Sequence, residues 1–282
     1  MPFRNRVVLA FDAGSVCAAV VRHGLWRTRS VSWSTGRLGE GALVPSAFAR
    51  NLHDPAEVGR AIREALEPIR ARAKGVTLVL PHGVSKVAVL DVPRGHEPGE
   101  YSRFRLGAGL PYPAAEAVVD FLSLEDGRVL AAAVRREVVA EYEGVSASVE
   151  VGVGRIDVAP LAAAGGAGPL AHGFEAPTVF VVLGDEACSL LAYDRGRLLG
   201  FRTRRRDRQS GEAERLHKDA LRTAARAGLF GEPTLLVAGS GARGVLDHWA
   251  AAGRGARLLP LLPEGGPFHE AAARPWLAAA LA

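Results

Sequence analysis

The stretch Val7-Val8-Leu9-Ala10-Phe11-Asp12-Ala13-Gly14-Ser15-Val16-Cys17-Ala18-Ala19-Val20-Val21 reads as a strand, a tight glycine turn and a returning strand. His23-Gly24 then turns the chain into a third strand near Trp26–Trp33. The same order returns later, as Thr178–Leu183, the turn Gly184-Asp185-Glu186, Ala187–Tyr193, the turn Asp194-Arg195-Gly196 and Arg197–Phe201. The first-turn glycines are Gly14 and Gly184, and the second-turn glycines are Gly24 and Gly196. Their separations, ten and twelve residues, make the copies similar rather than identical. Cys17 and Cys188 follow their turn glycines by three and four residues. A helix signal follows each copy, so the pattern predicts an internal duplication, two related α/β halves.

The segments between the copies fill in the rest. Asp54-Pro55-Ala56-Glu57 is a helix start, with a capping side chain, Pro at the first helical position and Glu three after the cap. Val58, Ile62, Leu66 and Ile69 give that helix one apolar face. Val76–Leu80 and Lys86–Leu90 read as strands, and Glu97–Leu110 as a helix ended by Pro111-Tyr112-Pro113. Ala117–Leu124 and Arg128–Val134 form an expected hairpin around Glu125-Asp126-Gly127. A helix over Arg135–Gly144, a strand over Ser148–Val158 and a small-residue helix over Ala159–Ala164 follow. Gly165–Pro177 is the Gly/Pro-rich joint. In the second half, Gly211–Ala227 is an expected helix with Ala213, Leu216, Ala220 and Leu221 on one stripe. Thr234–Ala238, the turn Gly239-Ser240-Gly241 and a helix over Val245–Ala252 come next, then a strand near Arg257–Leu259 and an Ala-rich final helix.

The chain has 282 residues, 48% hydrophobic and 23% charged, with a formal net charge of +5. That is enough chain to bury a core without disulfide staples. It excludes a collagen-like chain, a heptad array and a disordered charged tail. The charge is too mild to imply nucleic acid by itself. Almost all basic residues are Arg, with Lys only at Lys74, Lys86 and Lys218. No CxxC or Cys/His ligand spacing exists, so no metal site is expected, and Cys17 and Cys188 read as packing residues in a reducing cytoplasm. Asp12 interrupts the first apolar run too early for a signal peptide, and no run is long enough to span a membrane.

The two halves, together with Leu235-Leu236-Val237-Ala238-Gly239-Ser240-Gly241-Ala242, resemble the actin-like ATPase fold. The resemblance implies that the hairpin turns face nucleotide phosphates and that the Gly-rich strand–turn–helix faces the adenosine. Glycines let backbone N–H groups approach phosphate oxygens, and a neighbouring carboxylate can hold magnesium through water. Gly107-Ala108-Gly109-Leu110-Pro111-Tyr112-Pro113-Ala114-Ala115-Glu116-Ala117-Val118-Val119-Asp120-Phe121 narrows the family further. It resembles the pattern of the PilM family of type IV pilus inner-membrane platform proteins, as does Val129–Tyr142. The cytoplasmic half of the related type II secretion platform protein shares the fold, as does the cell-division actin homologue. The latter ends in an amphipathic membrane helix, whereas Phe268–Ala282 here is Ala-rich and without Lys.

The expected fold is therefore α/β and actin-like, with duplicated ribonuclease-H-like halves. Residues 1–74 form the first half and 75–150 a small inserted α+β subdomain. Residues 151–177 return to the first half and the joint, and 178–282 form a shortened second half. Residues expected around a vestigial nucleotide site are Asp12, Gly14, Ser15, Gly184, Asp185, Gly239, Ser240 and Gly241. Three departures argue against an ATPase. Ala19 stands where active relatives commonly place a Lys. Val182-Leu183-Gly184 lacks the Asp of the second hairpin, and a one-residue shift to Asp185 reverses the side-chain face. The segment between Phe201 and Thr234 holds only an Arg run and one helix, in place of the subdomain that closes over adenine.

Arg202, Arg204, Arg205, Arg206 and Arg208 form the densest charge. It reads either as a solvated loop or as a contact for an anionic membrane surface or acidic partner. No aromatic residues interleave beyond Phe201, which argues against nucleic acid. The eight histidines are scattered, and His172, His217, His248 and His269 have no ligand-spaced partner. Ser240 is not in a nucleophile elbow, and Gly152-Val153-Gly154 lacks a third glycine. No catalytic residue is singled out. The resemblance implies a non-catalytic cytoplasmic scaffold, peripheral to the inner membrane through its partners. It would bind the N-terminal cytoplasmic peptide of a bitopic platform protein and contact other pilus or secretion motor components. The peptide groove lies between the first half and the insert in that family, so Leu80–Val89 and Leu110–Phe121 border it here. No cofactor is expected; ATP with magnesium is the ligand such a fold would otherwise hold. The alternative is an active actin-like ATPase or kinase, with Asp12 facing magnesium and Asp185 replacing the missing carboxylate.

Overall fold

The computed structural model describes residues 5–23, 28–69, 74–124, 126–162, 164, 176–207, 211–239 and 241–258. The first half runs β1 (Asn5–Asp12), β2 (Ser15–His23), β3 (Thr28–Arg37), α1 (Pro55–Leu66) and β4 (Lys74–Leu80). Then come β5 (Ser85–Asp91), α2 (Pro98–Gly107), a 3-10 turn (Ala114–Glu116), β6 (Ala117–Ser123) and β7 (Arg128–Arg135). The chain returns through α3 (Arg136–Ala147) and β8 (Gly152–Val158). The second half is β9 (Thr178–Leu183), β10 (Ala187–Asp194), β11 (Arg197–Arg205), α4 (Glu212–Arg226), β12 (Thr234–Gly239), α5 (Ala242–Ala251) and β13 (Ala256–Leu258).

Two five-stranded sheets carry the duplication, in the orders β3-β2-β1-β4-β8 and β11-β10-β9-β12-β13. In each, the first three strands form an antiparallel meander, and the first strand then pairs in parallel with the fourth. Strand for strand the two orders are the same, so the repeated turn pattern reflects two copies of one topology. A third sheet, β5-β7-β6, is antiparallel and belongs to the insert.

Burial explains the sequence patterns. Every residue of β9 is buried, because both faces of the sheet are covered. Val179, Val181 and Leu183 face α4 and α5 with Leu216, Ala220 and Trp249. Phe180 and Val182 face the other way, towards Leu130 of the insert. In the first half, Leu9, Phe11, Leu78 and Leu80 meet Val58 and Ile62 of α1 and Tyr142 of α3. Asp54 caps α1 as expected, its carboxylate accepting from the Glu57 N–H at 3.0 Å. In the insert, Leu106 of α2 covers Ala117, Val129, Ala131 and Ala133. Leu130, Ala132 and Val134 alternate to the opposite face, which rests on both halves.

Several expectations need correction. The insert expected over 75–150 is narrower, because its two ends belong to the first half. β4 pairs in parallel with β1 inside the first sheet, and α3 places Val138, Tyr142 and Val145 in the first-half core. The apolar run Val76–Leu80 is what a strand covered on both faces requires. The expected strand from Ser148 begins only at Gly152, since Ser148 still closes the helix through Gly144 and Glu150 is left-handed. The helix expected to Leu110 stops at Gly107. The strand expected to end at Phe201 continues to Arg205. Leu221, assigned to the buried stripe of α4, is exposed, and Asp219 and Thr223 are buried instead. Gly24, Trp26, most of the joint and the expected final helix lie outside the described residues.

Candidate functional site

The two hairpin turns meet at the junction of the halves. Asp12 ends β1 opposite Ser15, leaving Ala13-Gly14 as the turn. In the second copy the Gly184 N–H donates to the Ala187 carbonyl at 2.9 Å, leaving Asp185-Glu186 as the turn. Gly184 therefore holds the position of Asp12, and Asp185 that of Ala13. Asp185 does not replace a strand-end carboxylate; it stands one step further out, in the turn itself. Its backbone N–H donates across the junction to the buried Asp12 carboxylate, at 3.0 Å to Oδ2 and 3.3 Å to Oδ1. A Cβ on Gly14 would stand 3.7 Å from Asp185 Oδ2. The turns are closed against each other.

His82 fills the space beside them. It follows Pro81 at the C-terminal end of β4, where open α/β sheets place their ligands. A Cβ on Gly184 would lie 2.8 Å from His82 Nδ1 and 3.0 Å from the Ala187 carbonyl, so only glycine allows this contact. The imidazole is buried and its Nε2 has no hydrogen-bond partner among the described residues. Burial, and then the Arg206 charge, lower its pKa from 6.5 to about 4, so it is neutral at ordinary pH. Sequence reasoning passed over His82; a His directly after an apolar parallel strand was the available signal.

Arg206 completes the junction. Its guanidinium donates to Gly184 O at 2.5 Å through Nη1, and to both Glu212 oxygens, at 2.8 Å from Nε and 3.0 Å from Nη2. Its side chain is only 3% exposed. A Cβ on Gly241 would stand 3.6 Å from Nη2. Gly239, at φ 104°, brings β12 so close to β9 that a Cβ would overlap the Leu183 carbonyl at 2.0 Å. Ser240 lies outside the described residues. An open cleft of about 340 Å³ adjoins the pair, bordered by Gly211, Glu212, Gly241, Gly244 and His248.

The residues here do not fit a triphosphate with its magnesium. The Asp185 N–H, which such a site would aim at phosphate, is aimed at Asp12. The space over Gly184 holds an imidazole, and the space beside Gly241 holds a cation of the protein itself. Among the described residues no three His, Cys, Asp or Glu side chains are grouped to hold a metal. Cys188 is buried, which pushes its thiol up to about 11 and makes it a packing group.

The Arg run is not a solvated loop. Arg202 and Arg204 lie on one face of β11, because strand side chains alternate, and both reach the buried Asp219 of α4. Arg206 is bound inward as described, to Gly184 O and Glu212. Arg205 is exposed, and Arg208 lies outside the described residues.

A second cleft, of about 360 Å³, lies in the first half at the end of β7, lined by Ala49, Arg50, Arg135, Glu137, Val138 and Glu141. Its rim is built. Glu141 Oε2 accepts from the backbone N–H groups of Asn51 and Leu52, each at 2.8 Å. The Asn51 amide donates to Ser46 O and Ala49 O at 2.9 Å. Arg135 donates to the Phe48 carbonyl at 2.6 Å and pairs with Glu116 at 2.9 Å and Glu137 at 2.8 Å. The loop so held presents Val44 and Phe48, 45% and 58% exposed. None of Leu80–Val89 and Leu110–Phe121, expected to border the groove, lines this cleft; it is built from the loop at Ala49 and from α3, and the loop's anchor Glu141 is far away in the chain.

No protein-family model matches the chain, and no curated protein matches it by sequence. Solved structures do. A chain of the PilM–PilN type IV pilus biogenesis complex matches with a TM-score of 0.73 and 17% identity, covering 99% of this chain and 97% of that one. A Bacteroides thetaiotaomicron protein of unknown function with an actin-like ATPase fold matches at 0.62 with 9% identity, covering 90% of each chain. The cytoplasmic domain of EpsL, an inner-membrane component of the type II secretion system of Vibrio cholerae, matches at 0.52 with 10% identity over 83% and 82%. The chain thus has the actin-like fold, duplicated halves and insert together, and shares it over nearly its whole length with a pilus biogenesis component.

Proposed function

We propose that this protein is a non-catalytic scaffold of a type IV pilus or type II secretion platform. It binds the N-terminal cytoplasmic peptide of a single-span inner-membrane protein and connects it to other motor components. The observation that carries this reading is the near-complete structural match to a chain of the PilM–PilN complex. The match to an inner-membrane secretion component supports it. The protein then works at the cytoplasmic face of the membrane, held there by partners; no helix among the described residues is long and apolar enough to cross.

The cleft at Arg135 is the place we assign to the peptide. It lies where the end of β7 meets the first half, carries both signs of charge and has the exposed Phe48 beside it. An extended peptide needs such apolar anchors beside polar groups that fix its direction. The test is a fluorescence-anisotropy titration with about a dozen N-terminal residues of the membrane protein encoded beside this one. Saturable binding is expected, weakened about ten-fold by Phe48→Ala as an interface anchor. Absence of binding at high micromolar peptide refutes the reading.

A further inference from the structure

We propose that the Asp12–Asp185 contact, with Arg206 fixing the turn that donates it, holds the two hairpin turns closed in the place where the actin-like fold otherwise puts a nucleotide. This inference is independent of the peptide reading.

Three elements surround that place: the hairpin turn at Gly184, the start of α5 at Gly241 and the first turn of α4. One side chain reaches all three. Arg206 donates to the Gly184 carbonyl and to both Glu212 oxygens, and lies over Gly241. A guanidinium suits this task, because its rigid fork can serve a carboxylate and a carbonyl at once. An almost fully buried Arg is retained only where its charge is answered, and here Glu212 answers it.

The contact across the halves completes the closure. The Asp12 carboxylate, which the fold would turn towards a metal, accepts a backbone N–H from the opposite half. Arg206 fixes the turn that supplies this donor through the Gly184 carbonyl and, by its own backbone N–H, through Glu186 O at 2.8 Å. His82, from the first half, closes the other side of Gly184. The protein's own cation, carboxylate and amide thus meet one another at this junction. Closure becomes a property of the folded chain and needs no nucleotide.

The test uses the full chain and hydrogen exchange read at residues 12–15 and 183–187, with calorimetry against Mg-ATP. The wild type is expected to show no heat of binding up to about 1 mM Mg-ATP and protected turns without ligand. Arg206→Lys keeps the charge and loses the fork; exchange at 183–187 should rise about ten-fold while β6 stays unchanged. Asp12→Ala should do the same at Asp185, and Asp12→Asn, which keeps an acceptor oxygen, should not. Arg206→Ala should show the larger effect; if it fails to fold, the Lys variant decides. Micromolar Mg-ATP binding by the wild type that slows exchange at both turns overturns the proposal. So does exchange at 183–187 that is unchanged in Arg206→Lys.

Discussion

Lowering the pH is expected to weaken the fold through His82. The imidazole sits against Gly184 without a partner for Nε2 among the described residues, and its pKa is lowered from 6.5 to about 4, first by burial and then by Arg206. The unfolded chain takes up this proton near its ordinary value, whereas the folded protein takes it up only near 4. Between those values the unfolded state binds more protons, so the free energy of unfolding rises with pH. The contribution is complete above pH 6.5 and is lost as pH falls towards 4. At about 1.36 kcal/mol per unit, the shift is worth about 3 kcal/mol. Carboxylates titrate in part of the same window, Asp157 with a pKa raised by burial and so with the opposite sign. The readout is therefore a difference. Urea unfolding is measured at about pH 7.5 and pH 4.5 for the wild type and for His82→Gln, which cannot take up the proton. The wild type should lose about 2–3 kcal/mol more than the variant across that interval, whatever their difference at neutral pH. Equal losses, within about 0.5 kcal/mol, would mean that the imidazole is solvated or paired and that the junction is not closed as described.

Arg128→Ala should destabilise by about 1–3 kcal/mol, since its guanidinium donates to Leu198 O at 2.6 Å and Leu199 O at 3.3 Å and both bonds are lost. Chemical denaturation measures it, and an unchanged midpoint would show that the insert is not tied to the second half there. Gly239→Ala should cost more than about 3 kcal/mol, because it adds a Cβ at φ 104° and 2.0 Å from the Leu183 carbonyl. A thermal melt within a few degrees of wild type would contradict the close approach of β12 to β9.

The duplication was legible because it is written in local terms. Apolar runs mark the strands, with Gly14 inside the first turn and Gly184 at the edge of the second. The register of the second turn was not, since only the Gly184–Ala187 bond shows that Asp185 belongs to the turn rather than to the strand end. The Arg run was misread for a related reason. Arg202, Arg204 and Arg206 share a parity that suits a strand, but a charge run resembles a solvated loop until its partners are known. Those partners, Asp219 and Glu212, lie on a helix, and no local pattern links them to the strand. The loop around Asn51 depends on Glu141 in the same way, through contacts that spacing does not encode.

The polar junction closes the two turns, and the insert ties the halves together on a larger scale. Leu130, fully buried, meets Phe180, Leu198 and Leu236 of the second half, with Val87 and Val89 beside it. Burying one such leucine contributes about 1.5–3 kcal/mol, so the seam outweighs any single hydrogen bond across it. β7 crosses the whole distance. At one end Arg128 holds carbonyls of the second half, and at the other Arg135 holds the Phe48 loop at the proposed peptide cleft. A clamshell opening would have to break the Leu130 seam and the Arg128 bonds as well as the turn contacts. Actin-like proteins that cycle with nucleotide need a hinge that gives way, and in this chain the element that would have to yield is the strand bordering the proposed peptide cleft. The proposed peptide cleft and the tie between the halves therefore share one strand, with Arg135 at one end and Arg128 at the other.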